Sequence, residues 1–274
     1  MDQSQRTPST LDLDLSGRTA IVTGASRSVG IGAATCRALA ALGADVFFTH
    51  WRPFDRATLD WRDESGPDRL LADLTGMGVR AAMAEIDFSQ PEAAEAVLDA
   101  GERELGPATI LVNNATHSVN VAWDALDAVA LDAHYAVNLR TFALLSTGFA
   151  WRWRGGDRGR IISLTSGQDR GAMPTELAYA ATKAAVVAFS RTLAVEVAPK
   201  GIRVNVVNPG PTDTGWMSPE LKADLIARTP LSEGQRVGQP EDAARLIAFL
   251  ATDAAQWITG EVINSEGGFG LWRG

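Results

Sequence analysis

The sequence predicts an α/β fold built on a single, doubly wound parallel sheet of about seven strands. Three observations predict it. Short apolar runs alternate with longer amphipathic stretches along the whole of the 274 residues. A glycine-rich turn stands directly between the first strand and the first helix. The strands also end in turn-forming polar residues, which gathers the reactive side chains at one edge of the sheet.

Residues 18–23, RTAIVT, read as a short buried strand. They run into Gly24, Ser26, Arg27, Ser28, Gly30, Ile31 and Gly32, and a helical pattern follows over 33–41. Strand, glycine loop and helix in that order suit a dinucleotide. The glycines permit a tight turn and close backbone approach, and the pyrophosphate rests on the helix N-terminus. The second strand falls at 45–49, and after it the usual short connection is replaced by the polar segment HWRPFDRATLDWRDESGP, 50–67. Loops longer than about 12–15 residues are uncommon inside a domain. Trp51 and Trp61 suit this insertion to packing over a cofactor or across a subunit contact, although a plain surface insertion fits as well.

A helix follows over 69–76, a third strand over 79–86 ending at Asp87, and an amphipathic helix over 91–105. The fourth strand, 109–112, ends in Asn113-Asn114-Ala115. Helical periodicity is sustained over 124–149, with Asn138 inside it. The fifth strand, 161–164, ends in Thr165-Ser166-Gly167, and the helix carrying Tyr179 and Lys183 runs to about 197. The sixth strand, 202–207, ends in Asn208-Pro209-Gly210; polar and helical material precedes a last strand over 260–264. The expected organisation is a flexible segment over 1–16 and one domain over 17–274, with the insertion at 50–67 and a substrate lid over 211–236.

Composition excludes several classes. A net charge of −8 argues against nucleic acid as a partner. No apolar run approaches the roughly 20 residues that span a bilayer, and the polar, acidic start has no export signal. The expected location is the cytoplasm, with no membrane partner. The single cysteine, Cys36, sits on an apolar helical face and reads as core filling. His50, His117 and His134 lack ligand spacing, so no metal site is expected.

Tyr179 and Lys183 are four apart and share a helix face. A free tyrosine ionises near about 10, and an ammonium held close favours the phenolate, bringing the group into acid–base range. The hydroxyl of Ser166, at the end of the preceding strand, would reach the same point. Alone, such a pair is an ordinary exposed helical pair; the surrounding pattern decides otherwise.

That pattern resembles the short-chain dehydrogenase/reductase family, with a Rossmann fold, over essentially the whole chain, and is most similar to its 3-oxoacyl-carrier-protein reductase-like members. The resemblance is carried by Thr23-Gly24…Gly30-Ile31-Gly32, Asp87, Asn113-Asn114-Ala115, Asn138, Ser166, Tyr179-x-x-x-Lys183, Asn208-Pro209-Gly210…Thr214, and Ile258-Thr259-Gly260…Gly267-Gly268. It implies an oxidoreductase in which Tyr179 exchanges a proton with the substrate oxygen and Ser166 hydrogen-bonds that oxygen. Lys183 would lower the tyrosine's pKa and bind the nicotinamide ribose, and Asn138 would hold a water linking Lys183 to solvent. It further implies Asp87 and Phe88 beside the adenine and Asn114 and Ala115 beside the adenosine ribose. Pro209, Gly210, Thr212 and Thr214 would line the nicotinamide and phosphates. A homotetramer, or a homodimer, is the implied assembly.

Two departures stand out. Ser28 and Val29 lengthen the first loop by two residues relative to TGxxxGxG, and the 50–67 insertion is the other. The longer loop resembles divergent enoyl reductases. Those enzymes, however, separate tyrosine and lysine by six residues and lack the strand-five serine. A carbonyl–alcohol oxidoreductase is therefore expected, with enoyl reduction and non-catalytic dinucleotide binding as the alternatives. No carboxylate follows the second strand until Asp55, and Arg27 and Arg52 suit a 2′-phosphate. NADP(H) is the expected cofactor and NAD(H) the second choice, with a small carbonyl or alcohol substrate bounded by 117–123, 168–177 and 214–230.

Overall fold

A computed structural model describes residues 11–58, 63–230 and 236–271. Seven parallel strands form one sheet: β1 (Thr19–Val22), β2 (Asp45–His50), β3 (Ala81–Glu85), β4 (Ile110–Asn113), β5 (Gly159–Leu164), β6 (Ile202–Asn208) and β7 (Val262–Asn264). Their order is β3-β2-β1-β4-β5-β6-β7. The winding reverses between β1 and β4, and in such sheets ligands bind beyond the carboxyl ends of the strands at that reversal.

The apolar runs are continuous because both faces are covered. In β2, Val46 and Phe48 face one core with Ala20, Val22, Cys36 and Leu39, whereas Phe47 faces the other with Ile21, Val97 and Leu111. The first core lies under α1 (Ile31–Ala41), α3 (Gly66–Gly76) and α9 (Pro240–Ala251). The second lies under α4 (Ala93–Leu105), α6 (Phe142–Arg152) and α7 (Leu177–Val197). Cys36 is fully buried, and desolvation pushes its thiol far up.

Several boundaries differ from expectation for tertiary reasons. The ordered body begins before Gly17: Leu15 is fully buried and its N–H donates to the Leu42 carbonyl at 2.7 Å. The ordered chain therefore reaches back into the 1–16 segment expected to be flexible, of which residues 1–10 lie outside the described residues. The insertion is not an irregular loop. It contains α2 (Arg52–Thr58) and the start of α3; Trp61 lies outside the described residues. The periodic stretch 124–149 divides into α5 (Ala128–Tyr135) and α6 around a π-helical turn, Ala136–Thr141, that carries Asn138. Such turns often mark functional sites. Within the expected lid lies α8 (Pro219–Ala227); residues 231–235 lie outside the described residues. No described helix is long and apolar enough to cross a membrane.

Candidate active site

The carboxyl ends of the strands open into a cleft of about 1460 Å³. Its floor begins at the first loop. Gly24 has φ +76°, and a Cβ there would lie 2.6 Å from Ala115 Cα, so only glycine admits the β4 loop so closely. Asn114 Nδ2 donates to the Thr23 and Gly24 carbonyls at 2.9 and 2.8 Å, stapling the two loops. Gly30 caps α1 without a side-chain bond, leaving the first-turn N–H groups facing the cleft. Gly24, Ser26, Arg27, Gly30, Ile31, Gly32, Trp51, Asp87, Phe88, Asn114, Ala115, Pro209, Gly210, Thr212 and Thr214 all line it.

Two expected cofactor contacts are not there. Ser28 turns away: its N–H and hydroxyl both donate to Asp63 Oδ2, at 3.0 and 2.6 Å. Arg52 is drawn off by carboxylates. It donates to Asp68 at 3.1 Å and lies 3.8 Å from Glu85, outside the cleft lining. Arg27 stays in the cleft. Its guanidinium donates to the Thr214 carbonyl at 2.8 Å and lies 3.7 Å from Asp55, whose carboxyl burial pushes up.

At the other end, β5 delivers Ser166 and α7 delivers Tyr179 and Lys183 to one wall. Lys183 is buried; its Nζ donates to the Leu164 carbonyl at 3.0 Å and lies 5.6 Å from the centroid of the Tyr179 ring. Burial lowers its pKa to about 8. Tyr179 departs from the expected shift. Desolvation pushes it up to about 12, against the hydrogen-bonding influence of Ser166 and Thr116, and Glu176 pushes it further in the same direction. Lys183 donates toward a backbone carbonyl, so the lysine does not offset that burial here. The phenol is protonated.

Asn138 stands behind the wall, not in it. Its Oδ1 accepts from Thr116 Oγ1 at 3.1 Å and from the His117 N–H at 2.7 Å. Its Nδ2 donates to the His117 carbonyl at 2.9 Å and to Thr182 Oγ1 at 3.1 Å, and Thr182 donates in turn to the Tyr179 carbonyl. The π-helical turn aims this amide at the β4 loop. The His117 ring packs 5.2 Å from Phe54 and 4.6 Å from His134, and burial beside His134 lowers its pKa to about 4.

The substrate end is lined by Val119, Asn120, Met173, Trp216 and Leu225, with Glu176 one turn before Tyr179. Trp123 is outside it and exposed, and Met217 packs with Leu225 and Val237. Sequence reasoning did not single out Thr116 or Asp63; it reached Asp55 only as the first carboxylate after the second strand and Glu176 only as part of the 168–177 boundary of the substrate site. Thr116 follows directly on Asn113-Asn114-Ala115, and its hydroxyl was the one signal available; the other three depend on tertiary placement.

Comparison with known proteins agrees with this geometry. The family model described as Enoyl-(Acyl carrier protein) reductase matches residues 24–270. A Bacillus subtilis protein, the uncharacterized oxidoreductase YjdA, is 48% identical over 252 residues, covering 91% of this chain and 96% of that one. The Escherichia coli 3-oxoacyl-[acyl-carrier-protein] reductase FabG is 34% identical over 263 residues, covering 93% and 98%. The crystal structure of a Burkholderia cenocepacia short chain dehydrogenase in complex with NADP superposes with a TM-score of 0.80 at 34% identity, covering 92% and 98%. With its seven-stranded sheet, its cleft at the winding reversal and its likeness to these proteins along nearly its whole length, the chain is an oxidoreductase of the short-chain dehydrogenase/reductase family.

Proposed function

We propose that the protein is an NADP(H)-dependent oxidoreductase that interconverts a ketone, or an oxoacyl group, and a secondary alcohol. The observation that carries this is the convergence of Ser166, Tyr179 and Lys183 on one wall of a cleft whose far end is an open helix N-terminus. The residues suit a dinucleotide. The uncapped N–H groups of α1 favour a pyrophosphate, and Arg27 beside them supplies a guanidinium. Gly24, Ser26, Gly30, Ile31, Gly32, Trp51, Asp87, Phe88, Asn114 and Ala115 would hold the adenosine half, and Lys183, Pro209, Gly210, Thr212 and Thr214 the nicotinamide half. Asp55 beside Arg27 suits a ribose hydroxyl, which keeps NAD(H) as the second cofactor.

A nicotinamide held there would supply hydride to the carbonyl carbon or, in the reverse direction, take it from the alcohol carbon. Tyr179, a protonated phenol, gives its proton to the carbonyl oxygen, so that carbon gains hydride, oxygen gains a proton and the product is the alcohol. The Ser166 hydroxyl donates to the same oxygen and stabilises its developing charge. Lys183, with its lowered pKa, is the nearest cation to the resulting phenolate. Enoyl reduction stays the alternative that the longer first loop suggests; Ser166 and the Tyr179-x-x-x-Lys183 spacing favour the carbonyl reading over it. Val129, Trp151 and Val195 are exposed on α5, α6 and α7, and we expect this face to be covered in a homotetramer, which light scattering would measure.

The test is oxidation of NADPH and of NADH against ketones, oxoacyl thioesters and enones, with Tyr179→Phe alongside. Carbonyl compounds should turn over with NADPH, and the variant should lose about 10²–10⁴-fold in kcat. Turnover of enones alone, or an active Tyr179→Phe, would overturn the assignment.

A further inference from the structure

Glu176 is the feature of the cleft that proton transfer does not use. It lines the substrate end, half-buried, one helical turn before Tyr179. Burial pushes its carboxyl up, and among the described residues it has neither a hydrogen-bond donor nor a cation against its side chain. Nearby charges are already matched. Arg170 pairs with Glu266 at 2.9 Å, and Arg228 pairs with Asp224 at 3.2 Å and lies over the Phe269 ring. The carboxylate left over at the substrate end is that of Glu176.

Its placement is held at a cost. Thr175, the residue before it, has φ +68°, and it is the non-glycine in the left-handed region among the described residues. A β-branched residue is a genuine outlier there, of the kind that persists only where the surroundings over-determine it. Here they do. The Val121 N–H donates to the Thr175 carbonyl at 2.8 Å, and Val121 and Glu176 form an isolated parallel bridge. The strained turn thus ties the 117–121 wall to the start of α7 and sets Glu176 at the cleft.

We infer that Glu176 selects the substrate: the carbonyl compound taken here carries a hydrogen-bond donor, a hydroxyl or an ammonium group, on the carbon next to the carbonyl. This rests on the carbonyl-reductase assignment. Glu176, the N-cap of α7, lines the cleft close enough to Tyr179 to oppose its ionisation, so it stands within reach of the carbon next to a carbonyl held by Ser166 and Tyr179. A donor there satisfies a half-buried carboxylate that otherwise lacks a partner, an ether oxygen cannot, and a substrate carboxylate is repelled.

The test compares kcat/KM with NADPH for four matched probes: hydroxyacetone, aminoacetone, methoxyacetone and pyruvate. The reactive aldehyde 4-nitrobenzaldehyde serves as a control, and all five are run on the wild type, Glu176→Gln and Glu176→Ala. The wild type should prefer hydroxyacetone to methoxyacetone by about tenfold or more, as a charge-assisted hydrogen bond gives, with pyruvate poorest. In Glu176→Ala that ratio should fall to about one. In Glu176→Gln the aminoacetone rate should fall further than the hydroxyacetone rate, because the amide accepts a hydrogen bond but carries no charge. Any effect of Glu176 exerted through Tyr179 acts on every probe and cancels in the ratios. A ratio unchanged in Glu176→Ala, or a wild-type preference for pyruvate, would overturn the inference while leaving the reductase assignment in place. Failure to reduce even 4-nitrobenzaldehyde would bring down both.

Discussion

Tyr179 is held where a phenolate is costly, and hydroxyl groups and a carboxylate act on it in opposite directions. Ser166 and Thr116 favour the ionised form, whereas burial and Glu176 oppose it. Thr116 has one proton, and its hydroxyl donates to Asn138 Oδ1, so toward Tyr179 it is an acceptor until the phenol gives its proton away. It can then turn and donate. Thr116→Val should accordingly raise the ionisation midpoint of Tyr179 by about half to one pH unit, the equivalent of one hydrogen bond, and Thr116→Ser should restore it. The chain makes this measurable, because it has two tyrosines and the other, Tyr135, is half exposed. In a Tyr135→Phe background the tyrosinate absorbance reports Tyr179 alone. An unchanged midpoint in Thr116→Val would remove Thr116 from the circuit. Sequence spacing made Ser166, Tyr179 and Lys183 legible, since strand end and helix face are local facts. The sign of the tyrosine's shift was not legible, because it depends on how deeply the ring is buried and where the lysine's ammonium points.

Among the elements, the two departures in the sequence prove to be one device. The extra residues of the first loop would leave the Ser28 N–H and hydroxyl without partners; Asp63, from the insertion, accepts from both. Arg69 holds Asp63 in turn, and Arg37 donates to the Ser28 carbonyl at 3.0 Å. Loop and insertion therefore belong together, and α2 lines the cleft through Phe54 and Asp55, meeting Arg27 through Asp55 and His117 through Phe54. Asp63→Ala should cost about 1–3 kcal/mol through the unmet Ser28 groups and the unpaired Arg69. It should also weaken NADPH binding, measured by calorimetry, more than it lowers the melting temperature. Unchanged affinity would mean that the loop keeps its shape without its anchor. Neither partner predicted the other from sequence, because the contact spans 35 residues. Periodicity located every strand and most helices; it missed α2, which is short and polar, and the π-helical turn, which interrupts a pattern without breaking it. Arg52 departs from expectation for a related reason. A guanidinium placed near a phosphate site in sequence goes instead to whichever carboxylates the fold brings closer, here Asp68 and Glu85.

Across the whole molecule, chemistry and stability occupy opposite ends of the sheet. The carboxyl ends carry the cleft, with its strained Thr175 and its uncapped α1. At the amino ends, Arg18, Arg158 and Arg160 converge on Asp253 at 3.5, 2.9 and 3.2 Å, joining the start of β1, the approach to β5 and the segment after α9. Arg18 and Arg160 are 2% and 1% exposed, so two guanidinium groups lie out of water against one carboxylate. Desolvation and the neighbouring Arg160 lower Arg18 to about 10, despite the opposing pull of Asp253. A buried charge that loses its partner costs about 3–5 kcal/mol, which for a chain of this size lowers the melting temperature by roughly 10 °C. Asp253→Ala should show that loss in calorimetry, with a smaller one in Asp253→Asn, whose amide oxygen still accepts a hydrogen bond. Turnover per folded molecule should stay at the wild-type level, because the whole sheet separates Asp253 from Tyr179. A matching loss of activity would show instead that the amino-terminal edge sets the position of β5, and with it Ser166.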